Sequence, residues 1–190
     1  MLNDASYPTV PMKVVVAVFL AALALASFHS TARLGAPHVV PTLTPPQGET
    51  ILFRAFADGV QVYECGEGAS GPQWVFKGPE ASLVDDRSAP LGKHYAGPTW
   101  ESIDGSKVVG RVIGSVDASD PSAIPHLLLK AQSHAGTGVL ANVRSIQRLQ
   151  TVGGRAPKEA CTAKNRGREA RVPYSATYYF YGELAKGSTL

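Results

Sequence analysis

Most of the residues and signatures that announce chemistry are missing from this chain. Two cysteines in 190 residues, with no Cys-x-x-Cys pair, exclude a dithiol redox site and leave no free thiolate set for structural zinc. Neither G-x-S-x-G nor a phosphate-binding loop occurs, which removes the elbow serine of α/β-hydrolases and P-loop nucleotide chemistry. Charged residues make up only 17%, with a net charge of +3, too slight a bias to define a polyanion partner. The longest apolar run, Val14 to Ala26, has 13 residues, against the about 20 that a helix needs to cross a bilayer.

That run follows Lys13 and has the length of the hydrophobic region of a secretory signal. Small residues at Ala24-Leu25-Ala26 and Ser30-Thr31-Ala32 place cleavage after Ala26 or Ala32, with no stable membrane span afterwards. An uncleaved anchor is the alternative. No cysteine ends the run, which disfavours a lipid-anchored form. The residues before Met12 carry Asp4, two prolines and no basic group, so Met12 is the expected start of translation. Cleavage removes Lys13 and Asp4, one charge of each sign, and the net charge stays +3. The expected location is secreted or periplasmic. In that oxidising setting Cys65 and Cys161 read as one disulfide. It closes a loop of about 100 residues, for which chain entropy gives about 4 to 5 kcal/mol.

There are 19 glycines and 14 prolines, spread without a repeat, which is the distribution of short strands joined by turns. Residues 1–32 form the N-terminal extension and signal, 33–49 a proline-rich extended lead-in, and 50–190 a single β domain. Within it, Ile51–Ala57 and Val60–Cys65 flank Asp58-Gly59 as a predicted hairpin, with Val60 and Val62 alternating against Gln61 and Tyr63. Gln73–Val84 predicts a strand bent at Gly78-Pro79. Thr99–Ile103 and Lys107–Val116 flank Asp104-Gly105 as a second hairpin. Ile124–Ala131 suits a strand or a helical turn, and Pro125 favours the strand. Val139–Thr151 and the aromatic-rich Arg171–Tyr181 complete the set. The fold class is all-β, an antiparallel β-sandwich or barrel of about seven or eight strands.

Gly92 to Gly110 concentrates His94, Tyr95, Trp100, Glu101 and Asp104 among turn-forming residues. Asp104 is explained as the opening residue of an Asp-Gly turn. His94, Tyr95, Trp100 and Glu101 therefore stand as candidate ligand-binding residues, with Trp100 weighed more as a core anchor than as a sugar-stacking surface. His126 and His134 are eight apart, which matches no tight metal spacing, so no metal site is assigned. Gly136-Thr137-Gly138-Val139-Leu140-Ala141 fits G-x-G-x-x-A, but it sits late in a chain without alternating helices and does not imply a nucleotide cofactor. Lys158, Lys164, Arg166, Arg168 and Arg171 are mixed with Glu159 and Glu169 and lack interleaved aromatics, so they read as a solvated loop rather than a nucleic-acid platform.

The segments Gly59–Cys65, Trp74, Gly92–Glu101, Asp104–Ser106, Ile124–Leu129, Ile146–Arg148, Thr151–Gly154, Ala156-Pro157, Cys161 and Tyr174–Tyr181, taken in order, resemble a family of small secreted bacterial and fungal proteins, family 3455 of the domains of unknown function. The likeness runs from about Ile51 to Tyr181 and departs at His126, where the family pattern has tryptophan. It implies export and one shared compact domain, with no reaction and no catalytic residue to carry over. The combined expectation is an exported, cofactor-free binding or cell-envelope-associated module, its ligand a glycan or another envelope component. The rival is a secreted hydrolase or metal-dependent enzyme using His94 and Glu101. Intact-mass measurement of the exported protein is expected to place its N-terminus at Ser27 or Arg33; a recovered peptide from Leu2 to Pro11 overturns the Met12 start.

Overall fold

The last strand shows how the sheet is built. Between Glu169 and Gly182, Tyr174, Ala176, Tyr178 and Phe180 share one face, and Tyr179 and Tyr181 lie on the other. Successive side chains in a strand point to opposite sides, so one aromatic-rich segment feeds two apolar clusters. The structure is a computed structural model that describes residues 35–69 and 71–183. The expected signal segment, both expected cleavage positions and Met12 lie outside the described residues.

Eight strands follow in order: β1 (Thr50–Gly68), β2 (Gly71–Val84), β3 (Pro90–Tyr95), β4 (Thr99–Ser102), β5 (Lys107–Val116), β6 (His126–Ala135), β7 (Ser145–Gly153) and β8 (Glu169–Gly182). Each pairs antiparallel with its neighbour, and β1 pairs with β8, so the sheet closes into an up-and-down barrel. The all-β expectation holds, with the barrel as its form. Among the described residues no helix is long and apolar enough to cross a membrane.

The predicted Asp58-Gly59 hairpin does not form. β1 runs straight through both residues, with Gly59 opposite Ala81 on β2 and Tyr174 on β8. A two-residue primed turn of the Asp-Gly type needs positive φ at both positions, and neither residue has it. The glycine serves close approach instead: a Cβ there would lie 2.1 Å from the Glu80 carbonyl oxygen. Conversely β3 escaped prediction, because Pro90–Tyr95 is short and reads as turn-rich. One strand split in two and one missed leave the predicted number of strands close to the observed one. The second hairpin forms as expected, with Asp104-Gly105 in the turn between β4 and β5. Ile124–Ala131 resolves as the strand, shifted to His126–Ala135. Val139–Thr151 is half loop, and β7 begins only at Ser145.

The interior matches small residues with large ones. Ala55, Ala57 and Ala81 from β1 and β2 are buried in the same cluster as Trp100, Tyr178 and Phe180. Trp100 packs over Gly110, where a Cβ would come within 3.0 Å of the indole. In an eight-stranded barrel side chains can nearly fill the interior. One end is sealed by the loop from Gly136 to Arg144, which contributes buried Leu140 and Val143. Asp104 ties it down: Oδ2 accepts from Val139 N at 2.9 Å and Oδ1 from Ser106 N at 2.9 Å. The G-x-G-x-x-A segment is this closing loop, with no helix behind it.

Outside the barrel, the lead-in docks rather than trailing. Leu43 is buried with Leu128, Leu149, Tyr179 and Tyr181, and its carbonyl accepts from Gln147 Nε2 at 2.5 Å. At the other end, the Cys65–Cys161 disulfide, with Cα atoms 5.4 Å apart, joins β1 to the β7–β8 connection. Trp74 Nε1 donates to Glu159 O on the same connection at 2.8 Å. The arginines of the basic cluster are matched by carboxylates, with Arg166 on Glu67, Arg168 on Glu159 and Arg171 on Glu80 and Glu169.

Gly59→Ala is expected to lower stability by about 1–3 kcal/mol through overpacking against β2. A reduced urea midpoint reads the effect. Gly66→Ala, whose Cβ would meet nothing closer than 3.5 Å, is expected to leave the midpoint nearly unchanged.

Candidate functional site in the barrel mouth

The β1–β2, β3–β4, β5–β6 and β7–β8 connections all fall at the end opposite the Leu140 plug, as up-and-down pairing requires. Toward that end the interior is not filled. A cavity of about 350 Å³ opens there, lined by residues from all eight strands. Its wall is mainly apolar, with Trp100, Leu127, Leu129 and Ile124 inside and Phe76 and Val112 exposed at the rim. The bulge opposite Val62 and Tyr63, predicted at Gly78-Pro79, shapes one side of the opening.

Strand alternation divides the four candidate residues into two pairs. His94 faces Trp100 across β3 and β4, and Lys93 faces Glu101. His94 and Trp100 are 2% and 1% exposed, with their rings stacked 4.3 Å apart. Tyr178 meets both edge-on. Tyr95 and Glu101 take the outer side, where Tyr95 OH donates to Glu101 Oε2 at 2.8 Å. Lys107 and Lys93 lie 3.2 and 3.6 Å from the same oxygen. The Tyr95 hydrogen bond, then Lys107, hold the Glu101 carboxyl below its ordinary range. His94 and Glu101 therefore stand on opposite sides of one wall, and Trp100 offers no face to a ligand on the outer surface.

His94 is built as a neutral group. Its Nδ1 lies 2.8 Å from Thr99 O, so the ring donates there and presents Nε2 as a lone-pair acceptor. Burial pushes its pKa down to about 3, against a smaller opposing contribution from the Thr99 bond and a further lowering by Arg148. Among the described residues Nε2 has no hydrogen-bond partner. His134 is used elsewhere, with Nε2 2.7 Å from Val143 O in the closing loop. No three His, Cys, Asp or Glu side chains among the described residues are grouped to hold a metal ion.

Three further residues of the cavity wall were not singled out by sequence. Gln61 is 2% exposed, and its Nε2 has no partner among the described residues. The Tyr178 hydroxyl is likewise buried with no partner at ordinary hydrogen-bond distance, although Tyr174 and Arg148 lie next to it. Arg148 on β7 sends Nε and Nη2 to a single acceptor, Pro125 O, at 3.1 and 2.9 Å. The signal for Gln61 and Arg148 lies in their phase. Gln61 continues the inward series Ala55, Ala57, Gly59, and Arg148 follows inward Ile146. The valines at 60 and 62 suggested the opposite orientation for β1.

The family described as "Protein of unknown function (DUF3455)" matches residues 45–182, the whole of the barrel. The chain belongs to the DUF3455 family. Every strand and every cavity-lining residue of this DUF3455 domain falls inside the matched span, while Leu43, which docks on the outer wall, falls just before it. No curated protein and no solved structure matches the chain.

A histidine held neutral in the fold but free to protonate when unfolded destabilises the fold in acid. The unfolded chain binds the extra proton as pH falls below about 6.5, so stability is full above that value and falls by roughly 2 kcal/mol by pH 5. Urea titrations across pH 6.5 to 5 are expected to show this decline, and His94→Gln is expected to flatten it. Equal slopes in the two proteins would mean that His94 is not held neutral.

Proposed function

We propose that this DUF3455 domain is an exported binding module that takes a small, largely apolar molecule into the mouth of its barrel. The cavity carries the reading. At about 350 Å³ it lies near the lower end of the roughly 300–1,000 Å³ of small-molecule sites. Its apolar walls with a few polar side chains are the usual make-up of such sites. The Cys65–Cys161 bond supports export, since disulfides persist in oxidising compartments. Binding without turnover is favoured because the neutral His94 stacks on Trp100, while Glu101 is committed to Tyr95 and two lysines on the other side of the wall.

Titration with the neutral fluorophore N-phenyl-1-naphthylamine is expected to give a saturable, one-to-one rise in emission with a blue shift. Leu127→Trp, which places an indole in the cavity, is expected to weaken the probe about tenfold while the protein remains folded by circular dichroism. Absence of saturable binding to the unsubstituted protein overturns the reading.

A further inference from the structure

Arg148 is a half-buried cation placed in an apolar wall without a counterion. Among the described residues no carboxylate pairs with it; its recorded partner is the neutral Pro125 carbonyl. The ion pairs among the described residues each keep at least one well-exposed partner, as in Arg155 on Asp117 and Lys77 on Glu64. The cavity lining contains no aspartate or glutamate at all. A guanidinium drawn partly out of water loses hydration that one carbonyl does not replace, so such groups are ordinarily matched by an anion.

Most neighbouring polar groups are donors, the His94 Nε2 acceptor being the exception. Gln61 Nε2, Trp100 Nε1 and the Tyr178 hydroxyl are donors buried in the cavity wall without partners. Arg148 is near enough to act electrostatically on His94, Tyr63 and Tyr178. Lys77, the second cation of the lining, stands exposed at the rim. The cavity thus combines apolar walls and one inner positive charge, backed by buried donors and the His94 acceptor.

Resting on the binding function proposed above, we infer that the ligand is an acidic amphiphile: a monocarboxylate whose apolar body fills the cavity and whose carboxylate is held by Arg148. A single inner guanidinium with neutral donors matches one negative charge; a phosphate dianion would leave part of its charge unbalanced in the apolar wall. The planar fork of arginine suits the two oxygens of a carboxylate, and Pro125 O engages only its Nε and Nη2 donors.

The test is competition against bound N-phenyl-1-naphthylamine, with decanoic acid and decan-1-ol as a pair matched in chain length. The acid is expected to compete at least about tenfold better, the gain ordinary for a charge-assisted hydrogen bond. Arg148→Met is expected to erase that difference, read as the ratio of acid to alcohol within that variant, and Arg148→Lys to keep part of it. Equal competition by acid and alcohol, or competition by neither, overturns the carboxylate assignment while probe binding leaves the cavity function standing. Failure of the probe itself to bind overturns the cavity function instead. Should Arg148→Met not fold, the acid-to-alcohol ratio in the unsubstituted protein and in Arg148→Lys still decides the matter.

Discussion

Pairing of the first strand with the last is the constraint on which the rest of the molecule depends. β1 and β8 run antiparallel along almost their whole length, from Thr50 opposite Gly182 to Glu64 opposite Glu169. Closure leaves no free sheet edge and requires that a chain segment more than a hundred residues away be brought back to the start. The Cys65–Cys161 bond lies at one end of this seam and shortens the search in the unfolded chain. At the seam the backbone of β1 must approach β2 closely as well, which is why its middle carries alanines and Gly59 rather than larger groups.

Closure also creates an inside whose two ends are treated differently. The Leu140 and Val143 loop, held by Asp104 and Ser106, closes one end with buried apolar side chains. Toward the other, Trp100, His94 and Tyr178 form an aromatic floor, and beyond it the side chains stop short of filling the barrel. Buried polar groups without partners are costly, and Gln61, Trp100 and Tyr178, three of those among the described residues, line this cavity. A core under selection for stability alone would replace them with apolar residues. Their grouping around a cavity, beside a cation lacking a counterion, is the physical ground for reading this end as a binding site.

Much of the fold was legible because its signals are local. The Asp104-Gly105 turn, the Gly78-Pro79 irregularity and the aromatic alternation of Arg171–Tyr181 each depend on a few neighbouring residues, and each appears in the structure near its expected place. Asp58-Gly59 has the same local chemistry as Asp104-Gly105 and a different outcome, because the need for a small residue against Glu80 comes from a neighbouring strand. For the site the division is similar. His94 and Trp100 were recognisable as unusual residues in an unusual stretch, but Tyr95 and Glu101 came with them only because they are adjacent in sequence. A strand separates such neighbours onto opposite faces.

By itself the sequence determined the class of fold, the cysteine pair and the family, since strand propensity, turn chemistry and an even cysteine count are properties of short segments or of composition. Which residues face inward was decided only by tertiary structure. β7 is buried on both sides, by the barrel interior and the docked Leu43 segment, and β1 is so at Gln61–Tyr63, so hydrophobic alternation there does not distinguish inside from outside. Gln61 and Arg148 then look like solvent-facing polar residues on half-buried strands. Closure of β1 onto β8 turns them inward, and in doing so brings Gln61, His94, Arg148 and Tyr178, from four different strands, around a single cavity.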